Sequence, residues 1–153
     1  GSWSAWLRAG GAVETGRPAV TPGDFAGRPG TMPVVEAEGV RGVAVLLDVR
    51  APERYRGDVE PIDPVAGHIP GALNAPIADV LSEEGLLRSP AELATIYARV
   101  GAVPGADVAA YCGSGVTAAQ AVLALELAGV SAALYPGSWS GWIADPDRPV
   151  ATG

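Results

Sequence analysis

The 153-residue sequence contains one cysteine, Cys112, set between the apolar run Val108-Ala109-Ala110-Tyr111 and the small residues Gly113, Ser114 and Gly115, with Val116 and Thr117 beyond. Small residues just after a strand are needed where something must approach the backbone closely. Successive N–H groups of such a loop converge into an anion-binding concavity. A helix starting near Val116 adds roughly half a positive charge at the same spot. These conditions favour a thiolate, the nucleophilic form of cysteine. A free cysteine at a strand end is more often an inert small hydrophobe, but core packing gives no reason for Gly-Ser-Gly-Val-Thr. A reactive thiolate does. Six positions after Cys112 stands Ala118, where cysteine-dependent phosphatases and arsenate reductases carry an oxyanion-clamping arginine. Phosphoryl transfer is therefore disfavoured.

Other polar residues admit plainer readings. His68, in the turn Gly67-His68-Ile69-Pro70-Gly71, is a candidate base, yet a turn histidine is better explained by structural hydrogen bonds. Asp48 ends an apolar run and reads as a tie between loops. Asp63 orients either a reaction step or its own turn, the turn being favoured. Arg50 divides evenly between flanking the pocket and pairing with a carboxylate. Trp139 and Trp142 suit a core or a domain interface better than ligand stacking. Thr117 is placed to help cap the following helix.

The elements that must position Cys112 follow from periodicity. Residues 43–49 form a short apolar run without 3.6-residue spacing, the pattern of a buried parallel strand. A polar stretch over 50–67 and a turn lead to a short strand at Leu73-Asn74. Leu93, Ile96, Tyr97 and Val100 line one face of a helix over 90–100. A second buried strand spans 107–111. An Ala/Leu-rich helix spans 116–128 with Gly129 as its stop, and a third strand spans 132–135. Strands alternating with helices through short connections predict an α/β fold, a parallel sheet with helices on both faces. Such sheets present their ligands at the carboxyl edge, where Cys112 stands.

Composition narrows the function. Hydrophobic residues make up 48% of the chain, enough for one compact domain with its own core. The net charge of −7 argues against an electrostatic nucleic-acid binder. Every basic residue is arginine, so an anion site must use guanidinium or backbone groups. One Cys and one His exclude an internal disulfide and disfavour a zinc site; no metal and no cofactor is expected. A lone thiol fits a reducing cytoplasm, and no apolar run is long enough to span a membrane.

Gly1-Ser2-Trp3-Ser4-Ala5-Trp6 matches Gly137-Ser138-Trp139-Ser140-Gly141-Trp142 at all but one position, and an Arg-Pro pair follows each, Arg17-Pro18 and Arg148-Pro149. The first six residues lack the stretches of a signal peptide, and Gly1-Ser2 alone would also suit the remnant of an expression tag. The repeat makes residues 1–32 the expected tail of a preceding homologous domain plus a Pro/Gly-rich linker. Residues 33–153 are the expected catalytic domain.

Four segments carry a family resemblance: Leu47-Asp48-Val49-Arg50, the stretch from Glu60-Pro61 to Gly67-His68-Ile69-Pro70-Gly71-Ala72, the Cys112 loop, and Tyr135-Pro136-Gly137-Ser138-Trp139. Over residues 33–153 the chain resembles the rhodanese family of single-cysteine sulfurtransferases, in particular the second domain of two-domain members. The resemblance implies a single rhodanese-like domain and a Cys112 persulfide. It implies a missing N-terminal rhodanese-like partner domain, a small-molecule sulfur donor and an acceptor such as cyanide or thioredoxin. Ser114 would assist Cys112. Arg54 would bind the donor's anionic group, and the loop at Gly113, Gly115, Val116 and Thr117 would hold the persulfide through backbone N–H groups. Mercaptopyruvate-preferring members carry Gly-Ser-Gly after the cysteine, as here, whereas thiosulfate-preferring members carry basic residues. A mercaptopyruvate donor is therefore expected, with thiosulfate and the same mechanism as one alternative and a non-catalytic persulfide-carrier or interaction module as another. One departure is that Ile62 follows Pro61, where a second carboxylate-binding arginine is common.

Overall fold

The computed structural model describes residues 2–19, 21–27 and 30–153; Gly1, Val20, Arg28 and Pro29, all within the expected tail and linker, lie outside it. Four parallel strands form one sheet: β1 (Val45–Asp48), β2 (Leu73–Asn74), β3 (Val108–Tyr111) and β4 (Ala132–Leu134), in the order β2-β1-β3-β4. Leu47 pairs with Leu73 and Ala110, and Ala110 with Leu134. The outer edge of β4 is met by the incoming chain, where Val34 bridges Leu134.

Central β3 is built from Val, two Ala and Tyr and is buried throughout, because both of its faces are covered. One face, with Leu47, Val108 and Ala110, packs against α4 (Pro90–Ala98) and α5 (Val116–Leu127) through Leu93, Tyr97, Ala121 and Leu125. The other, with Leu46, Ala109 and Tyr111, packs against Val40 of the short α2 (Ala37–Val40) and against Trp139 and Trp142 of α6 (Ser138–Ile143). Period-2 alternation along each strand divides the core in this way.

Local signals fix the ends of the elements. Ser89 and Glu92 close a capping box on α4, with Pro90 in its first turn. In α3 (Pro52–Arg56) proline opens the helix and Gly57, at φ 83°, closes it. A seven-residue helix, α1 (Ser2–Arg8), opens the chain, and the described residues between 12 and 27 carry no helix or strand. No helix among the described residues is long and apolar enough to cross a membrane.

Candidate active site

Cys112 follows β3 directly at the sheet's carboxyl edge and is buried. From there the chain turns through Gly113, Ser114 and Gly115 into α5. Gly115 adopts φ 84°, and a Cβ on it would sit 2.7 Å from the Pro136 carbonyl oxygen. Only glycine fits that position. Among the described residues, nothing accepts a hydrogen bond from the backbone N–H groups of residues 113–118. These six consecutive N–H groups follow Cys112 directly in the chain and remain available to an anion.

The loop is held from behind by the first three residues of α6, one peptide group each. The Cys112 N–H donates to Ser138 Oγ at 3.1 Å. Trp139 N–H donates to the Cys112 carbonyl at 2.9 Å, and Ser140 N–H to the Gly113 carbonyl at 3.0 Å. With these carbonyls turned toward α6, the N–H groups of the same trans peptides point away from it. Ser138 is fully buried at φ 52°, a left-handed conformation rare outside glycine.

A chain of charges runs alongside. Arg50 lies over Trp139, 4.8 Å from the ring centroid, bonded to Asp48 at 2.6 Å and to the Gly67 carbonyl at 2.6 Å. Burial works against its charge, and the hydrogen bond and charge of Asp48 more than offset it, holding the guanidinium above its ordinary pKa. Glu60 bridges Arg50 at 3.3 Å and Arg54 at 2.6 Å. Burial opposes an ionised Glu60, but hydrogen bonds from Arg54 and from the N–H groups of Asp63 and Ile62 keep its carboxyl below the usual range. Asp63 meets Arg54 at 3.4 Å and accepts from Ser140 Oγ at 2.8 Å. Two arginines thus face three carboxylates. Glu60 and Asp63 engage Nε and Nη2 of Arg54, while Nη1 has no acceptor among the described residues. A Cβ on Gly113 would lie 3.6 Å from that Nη1, so the guanidinium borders the loop.

Of the expected site residues, Arg54 thus borders the loop at Gly113, while Gly113, Gly115, Val116 and Thr117 follow Cys112 in the chain, with Ser114 and Val116 exposed. The capping role expected of Thr117 is corrected: α5 has Gly115 at its N-cap and no side-chain cap, because a left-handed glycine already turns the chain there. His68 is structural. Its Nδ1 meets the Tyr55 carbonyl at 2.7 Å and its ring stacks on Tyr55 at 3.8 Å. Arg50 resolves toward carboxylate pairing, and Trp139 and Trp142 belong to the core. Sequence reasoning gave no role to Glu60, Ser138 or Ser140. Glu60 stood in a motif, but nothing in the sequence brings Ser140 to Gly113 or Asp63.

A family model described as the rhodanese-like domain matches residues 35–145. The chain is 48% identical to the probable 3-mercaptopyruvate sulfurtransferase of Pseudomonas aeruginosa and 46% identical to SseB of Mycobacterium tuberculosis, provisionally named a thiosulfate sulfurtransferase. Each alignment takes in 100% of this chain and 56% of the relative. The chain thus spans little more than half the length of these relatives. EanB, solved as a cysteine persulfide with ergothioneine, superposes with a TM-score of 0.83 at 25% identity, over 99% of this chain and 40% of that one.

Proposed function

The chain belongs to the rhodanese-like domain family, and from that premise we propose that it is the sulfur-carrying half of a sulfurtransferase, with Cys112 as nucleophile. The Cys112 thiolate attacks the sulfur of 3-mercaptopyruvate. The carbon–sulfur bond breaks, its electron pair leaves as the pyruvate enolate and takes a proton, and the cysteine holds a persulfide. An acceptor thiolate, of a small thiol or reduced thioredoxin, or cyanide, then removes the outer sulfur and restores the thiolate, a ping-pong cycle. The N–H groups of residues 113–118, without an acceptor among the described residues, support this reading most: donors that follow Cys112 directly would hold negative charge on either sulfur. Ser114 donates to the donor's oxygen or leaving sulfur, and Arg54 Nη1 takes its carboxylate.

The charge balance favours the mercaptopyruvate donor. Arg50 and Arg54 are more than matched by Asp48, Glu60 and Asp63, and no cation stands in the loop itself, so a dianion such as thiosulfate gains little. Thiosulfate remains the second reading, supported by the likeness to SseB. The shared length and the repeated tryptophan segment support a preceding homologous domain, of which residues 1–32 are tail and linker. The lone thiol suits a cytoplasmic setting.

Intact mass spectrometry tests the assignment. Treatment with mercaptopyruvate is expected to add about 32 Da, one sulfur, to the chain. Cys112→Ala is expected to abolish both the adduct and turnover; sulfur transfer that survived the substitution would refute the role of Cys112.

A further inference from the structure

Ser140 lies two residues past the strained Ser138, behind the Cys112 loop, and joins the two halves of the predicted donor pocket. Its N–H donates to the Gly113 carbonyl at 3.0 Å. Its hydroxyl lies 2.9 Å from the same carbonyl and 2.8 Å from Asp63 Oδ1, so one hydrogen is shared between the two acceptors. Asp63 Oδ2 in turn meets Arg54. We propose that Ser140 is a positioning residue, aiming the Ser114 N–H at the sulfur of residue 112 and linking the orientation of the loop to Arg54 through Asp63. The inference rests on the sulfur-transfer reading.

The physical basis is the planarity of the peptide group. The Gly113 carbonyl and the Ser114 N–H belong to one trans peptide, so clamping the oxygen fixes the direction in which the N–H points. A carbonyl approached by two donors also polarises the N–H on its far side, strengthening it as a donor. Gly113 has no side chain to restrain its own rotation, and the restraint must come from outside the loop. Ser140 supplies it from a helix anchored by the buried Trp139 and Trp142. Non-glycine residues at positive φ persist only where their surroundings over-determine them. Ser138, whose hydroxyl accepts the Cys112 N–H and donates to the Tyr135 carbonyl, is such a point in the same clamp.

The test uses the whole 153-residue chain with three variants and two readouts, iodoacetamide alkylation at neutral pH and steady-state sulfur transfer from mercaptopyruvate. Ser140→Ala suits a helix and should fold. It is expected to slow alkylation and kcat alike by about three- to tenfold, the scale of one ordinary hydrogen bond, with KM unchanged. Ser140→Thr keeps the hydroxyl and should restore both rates. Asp63→Asn should lower kcat similarly and also shift KM, because Arg54 loses a partner. Combined with Ser140→Ala it should cause no further loss of kcat, as for two members of one linkage. Wild-type alkylation and kcat in Ser140→Ala, or no rescue by Ser140→Thr, would overturn the role of Ser140. Failure of the wild type to take up sulfur would instead overturn the proposed function, with the alkylation comparison still deciding Ser140.

Discussion

The chain carries nearly the same six residues twice, and the two copies meet opposite fates. Both become helices, α1 and α6. Both indole N–H groups at the second tryptophan find a backbone carbonyl downstream at 2.9 Å, Trp6 that of Ala12 and Trp142 that of Pro149. Yet Trp3 and Trp6 are 59% and 51% exposed, while Trp139 and Trp142 are 0% and 2% exposed. Helix formation is thus decided locally, and burial by delivery. β4 and the turn through Tyr135 and Pro136 set α6 on the sheet, with Ser138 in its strained conformation, whereas α1 meets the domain through contacts such as that of Arg8 with the Glu84 carbonyl. What distinguishes the copies is the strand before the second one, and the loop of Cys112 leans on that copy.

The largest test compares the tryptophans. Trp139 is fully buried against Leu46, Ala109 and Tyr111, so Trp139→Ala should cost about 3–5 kcal/mol of unfolding free energy in urea. Trp3→Ala should stay within about 0.5 kcal/mol, as an exposed substitution does. Equal losses would mean that α1 belongs to the core after all, and the contrast would fall.

A second, smaller test sets two left-handed glycines against each other. Gly10, after α1, has φ 72° and open space where a Cβ would go, whereas Gly115 faces the Pro136 carbonyl. Gly10→Ala carries only the backbone penalty, about 1–2 kcal/mol at most. Gly115→Ala adds a collision with α6's approach, about 2–4 kcal/mol in all, and should depress Cys112 alkylation as the loop shifts. If Cys112 in folded Gly115→Ala reacts at the wild-type rate, the loop does not depend on the seat that Pro136 provides.

Strands and long helices were legible because their signals are local. The short strand Leu73–Asn74 matches the reading from sequence, and β1, β3, α4 and α5 differ from it by no more than two residues at an end. The cysteine loop was legible too, since Gly115 is required by its own backbone angle. Elements too short for periodicity escaped: α3 is five residues without a buried side chain, though Pro52 and Gly57 mark its ends, and α6 lacks a side-chain cap. The link from Arg54 through Asp63 and Ser140 to Gly113 escaped for a different reason. Asp63 and Ser140 stand 77 positions apart, and no local pattern encodes a hydrogen bond between a turn and the start of the last helix.

The smallest expected effect comes from the single position at which the copies differ, Ala5 against Gly141. Gly141 sits inside α6, not at positive φ, and a Cβ there would reach only ordinary contact with the Tyr135 hydroxyl at 3.6 Å. Alanine loses less backbone entropy on folding than glycine, so Gly141→Ala should stabilise the domain by about 0.5–1 kcal/mol. The reverse change, Ala5→Gly, weakens a helix of seven residues, too short to stand by itself, and should leave the global unfolding midpoint in place while lowering the helical signal of α1. A loss of stability in Gly141→Ala would show that the Tyr135 hydroxyl has no room to give. Glycine at position 141 would then be required by the packing of α6 against the sheet, and the one-residue difference would itself record which copy had to be buried.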